Sequence, residues 1–219
     1  MEKNTYSLIL INEVVQRIDR LAHTKGCSRS SMINQILAEY VSLLTPQKQV
    51  ENIFTKVRSQ LEEGIGFNVE QTPSGTLKAK SVLSYRYNPT ITYTVDISLQ
   101  QGEDACVLYL GSRTQNEDLR TLLSVFYEIW NQIETGLLEG RLSKPLSSST
   151  VKDRFRRVLQ IPRGEGEEGR AGEAIAGYIR LLDSALKLSF ASPHGIDIQT
   201  FEQIGNLYGE YIEKGGQAI

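Results

Sequence analysis

Apolar positions change their spacing several times along the chain, and each change marks an element. Residues Thr5 to Ile11, TYSLILI, are mostly β-branched, aromatic or aliphatic and read as a short strand ending at the polar pair Asn12-Glu13. From Asn12 as cap, Val14, Val15, Ile18, Leu21 and Ala22 recur at helical spacing, and Gly26 stands where a glycine would end the helix. Ser28 opens a second helix with Met32, Ile33, Ile36, Leu37, Tyr40, Val41 and Leu44 on one broad face, stopped before Pro46. That stripe is wider than one partner helix covers. A unit of residues 1–46 has too little core of its own, so it is expected to fold as a dimer.

Val50, Ile53, Phe54, Val57 and Leu61 predict a helix over residues 47–63, read as a connector into a second domain over residues 64–219. Gly64 to Gly75 is rich in turn formers; Leu77 to Tyr87 and Thr90 to Leu99 read as strands around Asn88-Pro89. The second strand alternates strictly, with Ile91, Tyr93, Val95 and Ile97 against Thr90, Thr92, Thr94 and Asp96, so one face is buried and one is wet. Cys106 to Gly111 is a third strand, and the three predict an antiparallel meander. A long helix over Asn116 to Leu138, with Leu119, Leu123, Phe126, Trp130 and Ile133, is expected to cover the sheet.

Farther on, Val151 to Ile161 reads as one strand, with Val151, Phe155, Leu159 and Ile161 on one face and Lys152, Arg154 and Arg156 on the other. The glycine-rich stretch Arg163 to Gly172 is expected to be a flexible loop, followed by helices over Glu173 to Phe190 and Ile198 to Lys214. The fold class is therefore α+β: a small N-terminal unit, then an antiparallel sheet covered by helices.

Charge narrows the options for function. The 24 Lys and Arg against 26 Asp and Glu leave a net charge of −2, so any nucleic-acid contact must be local. Two cysteines, Cys27 and Cys106, are too few for a disulfide framework and fit a reducing cytoplasm. No apolar stretch near the start reaches the length of a signal core or a membrane span, so no membrane partner is expected. With only His23 and His194, metal sites and histidine triads have little material, and neither a metal nor a cofactor is expected. The Arg163–Gly172 stretch lacks the Lys-Ser/Thr ending of a phosphate-binding loop and carries three glutamates. No catalytic set stands out, and the reading is of a non-enzyme.

The informative unit is the first one. Asp19, Leu21, Ala22, Gly26, Ser28, Arg29, Ser30 and Ile33 fall where the pattern of a ribbon-helix-helix DNA-binding domain, of the MetJ/Arc/CopG type, expects them. Ser7 to Leu44 thus closely resembles that family over about a fifth of the chain. The resemblance implies a two-fold dimer whose strands pair into an antiparallel ribbon in the DNA major groove. It implies base reading by Thr5, Ser7 and Ile9, and phosphate contacts from Lys3 and from Ser28, Arg29 and Ser30 at the start of the second helix, where free N–H groups favour an anion. It implies a dimer core of Leu8, Leu10, Ile18, Leu21, Ile33, Ile36 and Leu37. Ile9 departs from the polar residues usual at groove-reading positions, and a one-residue slip would instead turn Tyr6, Leu8 and Leu10 outward.

The expected function is a site-specific transcriptional regulator, a repressor, acting as a dimer or tetramer on double-stranded DNA. Its second domain would sense a small-molecule or protein effector, or assemble dimers. The alternative is a dimeric adaptor in which the first unit serves only dimerisation. The outward Lys152, Arg154 and Arg156 read either as a second nucleic-acid contact or as the ordinary solvated side of a strand.

Overall fold

A computed structural model describes residues 4–41, 45–64, 66–72, 75–98, 106–151, 153–162, 166–191, 196–217 and 219. The chain divides into two compact units, residues 1–45 and 46–219. No described helix is long and apolar enough to cross a membrane.

The first unit holds two helices, α1 (Asn12–Lys25) and α2 (Arg29–Tyr40). Gly26 adopts the left-handed conformation with φ 62°, and its N–H and that of Cys27 donate to the His23 and Ala22 carbonyls, which ends α1. The cap of α1 is Ile11 and not Asn12, which is already helical. The strand expected over Thr5 to Ile11 does not form in the single chain: residues 4–11 are irregular and exposed throughout. A strand exists only when its N–H and C=O groups find a neighbour, and the described residues pair no strand with residues 4–11. Lys3 and Leu44 lie outside the described residues.

In the second unit, α3 (Pro46–Glu62) leads to β1 (Asn68–Gln71), β2 (Thr76–Val82), β3 (Thr90–Ile97) and β4 (Cys106–Ser112). Then come α4 (Glu117–Leu138), β5 (Ser148–Val151), β6 (Arg154–Val158), α5 (Glu168–Ala191) and α6 (Ile198–Glu213). The strands form one antiparallel sheet in the order β1-β2-β3-β4-β6-β5. Alternate residues Leu77, Ala79, Ile91, Tyr93, Val95, Leu108, Leu110 and Phe155 enter a single core with side chains from all four helices. The opposite face carries Lys78, Lys80, Thr92, Thr94, Tyr109, Arg154 and Arg156, as the alternation in β3 predicts for that strand.

Several expectations need correction. Helix α3 is no free connector: Phe54, Val57 and Leu61 are fully buried, and the helix packs along α5 as part of the second unit. Strand β1 forms inside the stretch read as a turn, because Asn68 to Gln71 pairs with Leu77 to Lys80. Of the single strand expected over Val151 to Ile161, only Arg154–Val158 forms one strand, β6. Val151 ends β5 on the other side of a turn in which Asp153 has φ 60°; by pairing with Arg154 it is exposed on the face opposite Phe155, not on the face of Phe155 as expected. Lys152, Leu99 and His194 lie outside the described residues.

The glycine-rich stretch is also helical in its second half, since α5 starts at Glu168. Gly172 is there for contact: a Cβ on it would stand 2.6 Å from the Lys56 Cβ and 3.0 Å from the Ile53 carbonyl oxygen. The glycine lets α3 and α5 approach closely, a role that composition alone disguises as looseness.

Candidate nucleic-acid interface

The first unit is built around very little buried matter. Ile18 and Ala22 of α1 meet Met32 of α2, with Cys27 and Ile33 packed against them. Ser28 caps α2, its Oγ accepting from the Ser31 N–H at 3.2 Å, while the Met32 N–H donates to the Ser28 carbonyl. The N–H groups of Arg29 and Ser30 open the helix, where no preceding turn supplies them a carbonyl. Ser28, Arg29 and Ser30 therefore share one helix start whose geometry suits an anion.

Arg29 has a second engagement that the sequence pattern does not reveal. Its Nε and Nη2 donate to the two carboxylate oxygens of Asp19 at 2.6 and 2.7 Å, so the guanidinium turns back onto α1. The hydrogen bond from Arg29 holds the Asp19 carboxyl below the usual aspartate range. Both side chains remain substantially exposed, so the pair is accessible to salt and to a competing anion. The family pattern includes Asp19, but its role as the holder of Arg29 comes from the contact.

The apolar residues expected at a dimer core divide in two. Ile18 is buried and Ile33 is partly buried, whereas Leu8, Leu10, Leu21, Ile36 and Leu37 are exposed, Leu21 at 47% and Leu37 at 50%. Tyr6, Ile9, Ile11, Tyr40 and Val41 are exposed as well, with Tyr40 at 89%. The first unit thus carries 11 of the 17 large hydrophobic side chains exposed among the described residues. Thr5, Ser7 and Ile9 sit on the exposed irregular segment before α1, together with the hydrophobic side chains between them.

The second unit holds its own buried polar groups. Arg157 on β6 and Glu134 on α4 are both fully buried, with Nε to carboxylate at 3.2 Å. Tyr178 and Tyr208 donate to the other Glu134 oxygen at 2.9 and 3.2 Å, the Trp130 indole N–H donates to Tyr178, and Arg157 also donates to the Val158 and Ile219 carbonyls. Burial raises the Glu134 carboxyl above its ordinary range, against the pull of Arg157. These groups are mutually satisfied and face the core, which makes them a packing device with no opening to solvent.

Both residues were legible in phase. Arg157 alternates with the inward Phe155 and Leu159, and Glu134 lies one helical turn beyond Trp130. A second polar set, Asp183 with Ser81, Tyr93 and Lys187, ties α5 to β2 and β3 in the same way. A cleft of about 150 Å³ lies between Ser112, Thr114, Arg120, Leu123, Asp153 and Arg154. It is smaller than the several hundred Å³ of a typical ligand pocket. Comparison with family models, with curated proteins and with solved structures finds no match for this chain.

Proposed function

We propose that this protein is a site-specific DNA-binding transcriptional regulator, a repressor, that acts as a dimer through a ribbon-helix-helix unit. The observation that carries the reading is the imbalance of the first unit: three residues make its buried cluster, while Leu8, Leu10, Leu21, Ile36 and Leu37 stay in water. So small a core does not offset the chain entropy of about 40 ordered residues. A second copy covers those side chains, and the same two-fold operation brings two segments of residues 4–11 side by side as an antiparallel ribbon.

In the ribbon, alternation puts Leu8 and Leu10 toward the helices and leaves Thr5, Ser7 and Ile9 for base edges. Thr5 and Ser7 offer hydroxyls that serve either acceptors or donors, and Ile9 offers contact to a thymine methyl. The start of α2 grips a phosphate with the Arg29 and Ser30 amides, and Arg29 is positioned by Asp19 at the edge of that site. The second unit assembles dimers or binds an effector.

The competing reading, a dimeric adaptor, draws on the same Asp19–Arg29 contact, since a cation already held by a carboxylate is less available to phosphate. Selection from sheared genomic DNA at about 150 mM salt separates the two. The expected result is enrichment of a short inverted or tandem repeat by the native chain and its loss in Thr5→Ala/Ser7→Ala/Ile9→Ala. A dimer in sedimentation that enriches no sequence at any salt concentration favours the adaptor.

A further inference from the structure

The open face of the second unit's sheet carries a charge pattern that no packing requirement explains. Strand register puts Lys78, Thr94, Tyr109 and Arg156 in one row across β2, β3, β4 and β6. The next row holds Lys80, Thr92, Gly111 and Arg154, the last of these because Leu110 lies opposite Phe155 and the antiparallel ladder continues by one more residue on each strand. The cations thus form two columns, Lys78 with Lys80 on β2 and Arg154 with Arg156 on β6, separated by a strip of threonine, tyrosine and glycine.

Gly111 bears on this arrangement. A Cβ there would stand 2.9 Å from the Arg154 Cγ, so the bare backbone of β4 gives the arginine's aliphatic stem room to lie across the sheet. Four cations on the paired positions of this face meet two carboxylates, Glu70 and Asp96, in a chain whose overall charge is −2. Glu70 holds Lys80 at 2.9 Å, at the β1 edge. These described positions carry a net positive charge where the chain as a whole carries −2, a local pattern that suits a polyanion.

We propose that this open sheet face binds the phosphodiester backbone of duplex DNA, as a second, sequence-independent contact in addition to the ribbon. Its choice of occupant rests on the DNA-binding reading above. Columns on β2 and β6 are three strand spacings apart, about 14 Å at roughly 4.8 Å each. That is close to the roughly 12 Å width of the major groove, so one column serves each backbone flanking a groove. The hydroxyls of Thr92, Thr94 and Tyr109 between the columns add neutral donors to phosphate oxygens, which carry no sequence information.

The test uses the full chain and duplexes of random sequence, read by fluorescence anisotropy between about 50 and 200 mM salt. Removing one cation from a phosphate lowers the slope of log affinity against log salt by about 0.9, so Lys78→Gln/Arg154→Gln/Arg156→Gln is expected to flatten it by roughly 2 to 3. Thr94→Lys, which adds a cation and needs no loss of structure to be read, is expected to steepen the slope by about 1. Unchanged slopes in both variants overturn the proposal. So does tighter binding of the corresponding single strand, or binding of a polyglutamate peptide by this face with duplex affinity unaffected. The same measurements in the Thr5→Ala/Ser7→Ala/Ile9→Ala background keep the two readings apart: a sheet effect that persists where no operator is ever enriched leaves this inference standing and the regulator reading overturned.

Discussion

The Asp19 carboxylate grips the Arg29 guanidinium at two points, 2.6 Å from Nε and 2.7 Å from Nη2, and so ties the middle of α1 to the first residue of α2. Arg29 lowers the Asp19 carboxyl, so the pair's contribution is present above the ordinary aspartate value of about 3.9 and is lost as pH falls through the depressed value. Urea unfolding at a series of acid pH values is expected to show that loss in the native chain and a flatter dependence in Arg29→Ala. At about 1 M salt the two should converge, because both side chains face water. Identical pH dependence at low salt would show that the contact does nothing for the helix pair.

Leu37, half-exposed on α2, lies on the face expected to be covered by a second copy. Burying an unpaired carboxylate there costs several kcal/mol, so Leu37→Glu is expected to weaken dimerisation by at least about 100-fold. Sedimentation equilibrium across a dilution series reads the change. A Leu37→Glu chain that stays dimeric at the native dissociation constant places the interface elsewhere.

The buried Glu134–Arg157 pair makes a sharp contrast between single and double substitutions. Glu134→Leu leaves the Arg157 charge buried without its carboxylate and is expected to cost about 3 to 5 kcal/mol in chemical denaturation. Glu134→Leu/Arg157→Met, which removes both charges, is expected to recover most of that loss. Equal destabilisation by the single and the double variant would mean that shape, and not charge, is what the pair contributes.

Two glycines of α5 predict opposite signs. Gly172→Ala forces its Cβ into Lys56 and the Ile53 carbonyl and is expected to cost about 1 to 3 kcal/mol. Gly169→Ala meets nothing within 4 Å and is expected to stabilise by up to about 1 kcal/mol through helix propensity. Thermal unfolding of the two variants beside the native chain decides whether Gly172 is a packing residue.

These contrasts show how local pattern and long-range contact divide the information. Helices α1, α4 and α6 were legible to within a residue or two where a single-period stripe or a cap marks the ends, as with Asn116 before α4 and Asp197 before α6, whereas α2 ends at Tyr40, short of the stop expected before Pro46. The alternation of β3 showed which sheet face is buried. Residues Asn68 to Gln71 gave no such signal, because an edge strand of four residues is held by its neighbour β2 and not by its own periodicity. The hairpin at Asp153 was hidden because nothing in the sequence puts the apolar Val151 out of step with Phe155: only the pairing of Val151 with Arg154 shows that the phase inverts before Phe155.

The first unit's candidate site follows the same division. Gly26, Ser28 and the short apolar run before α1 are local features, and the resemblance rests on their spacing together with Asp19, Leu21, Ala22, Arg29, Ser30 and Ile33. The engagement of Arg29 by Asp19 is a contact between residues ten apart, with no signature in either one.

What the sequence by itself determined is where chain segments must be helical or extended and which of their sides is apolar, because period, caps and turn residues act over a few neighbours. Only the tertiary structure decided what those sides meet. It made α3 a core helix, turned Gly172 from a loop residue into a point of close approach, and gave Arg157 its partner Glu134. It also aligned Lys78 and Lys80 with Arg156 and Arg154 across four strands. The physical reason is that burial and charge alignment depend on pairing between distant segments, and register between strands is set by the whole core at once.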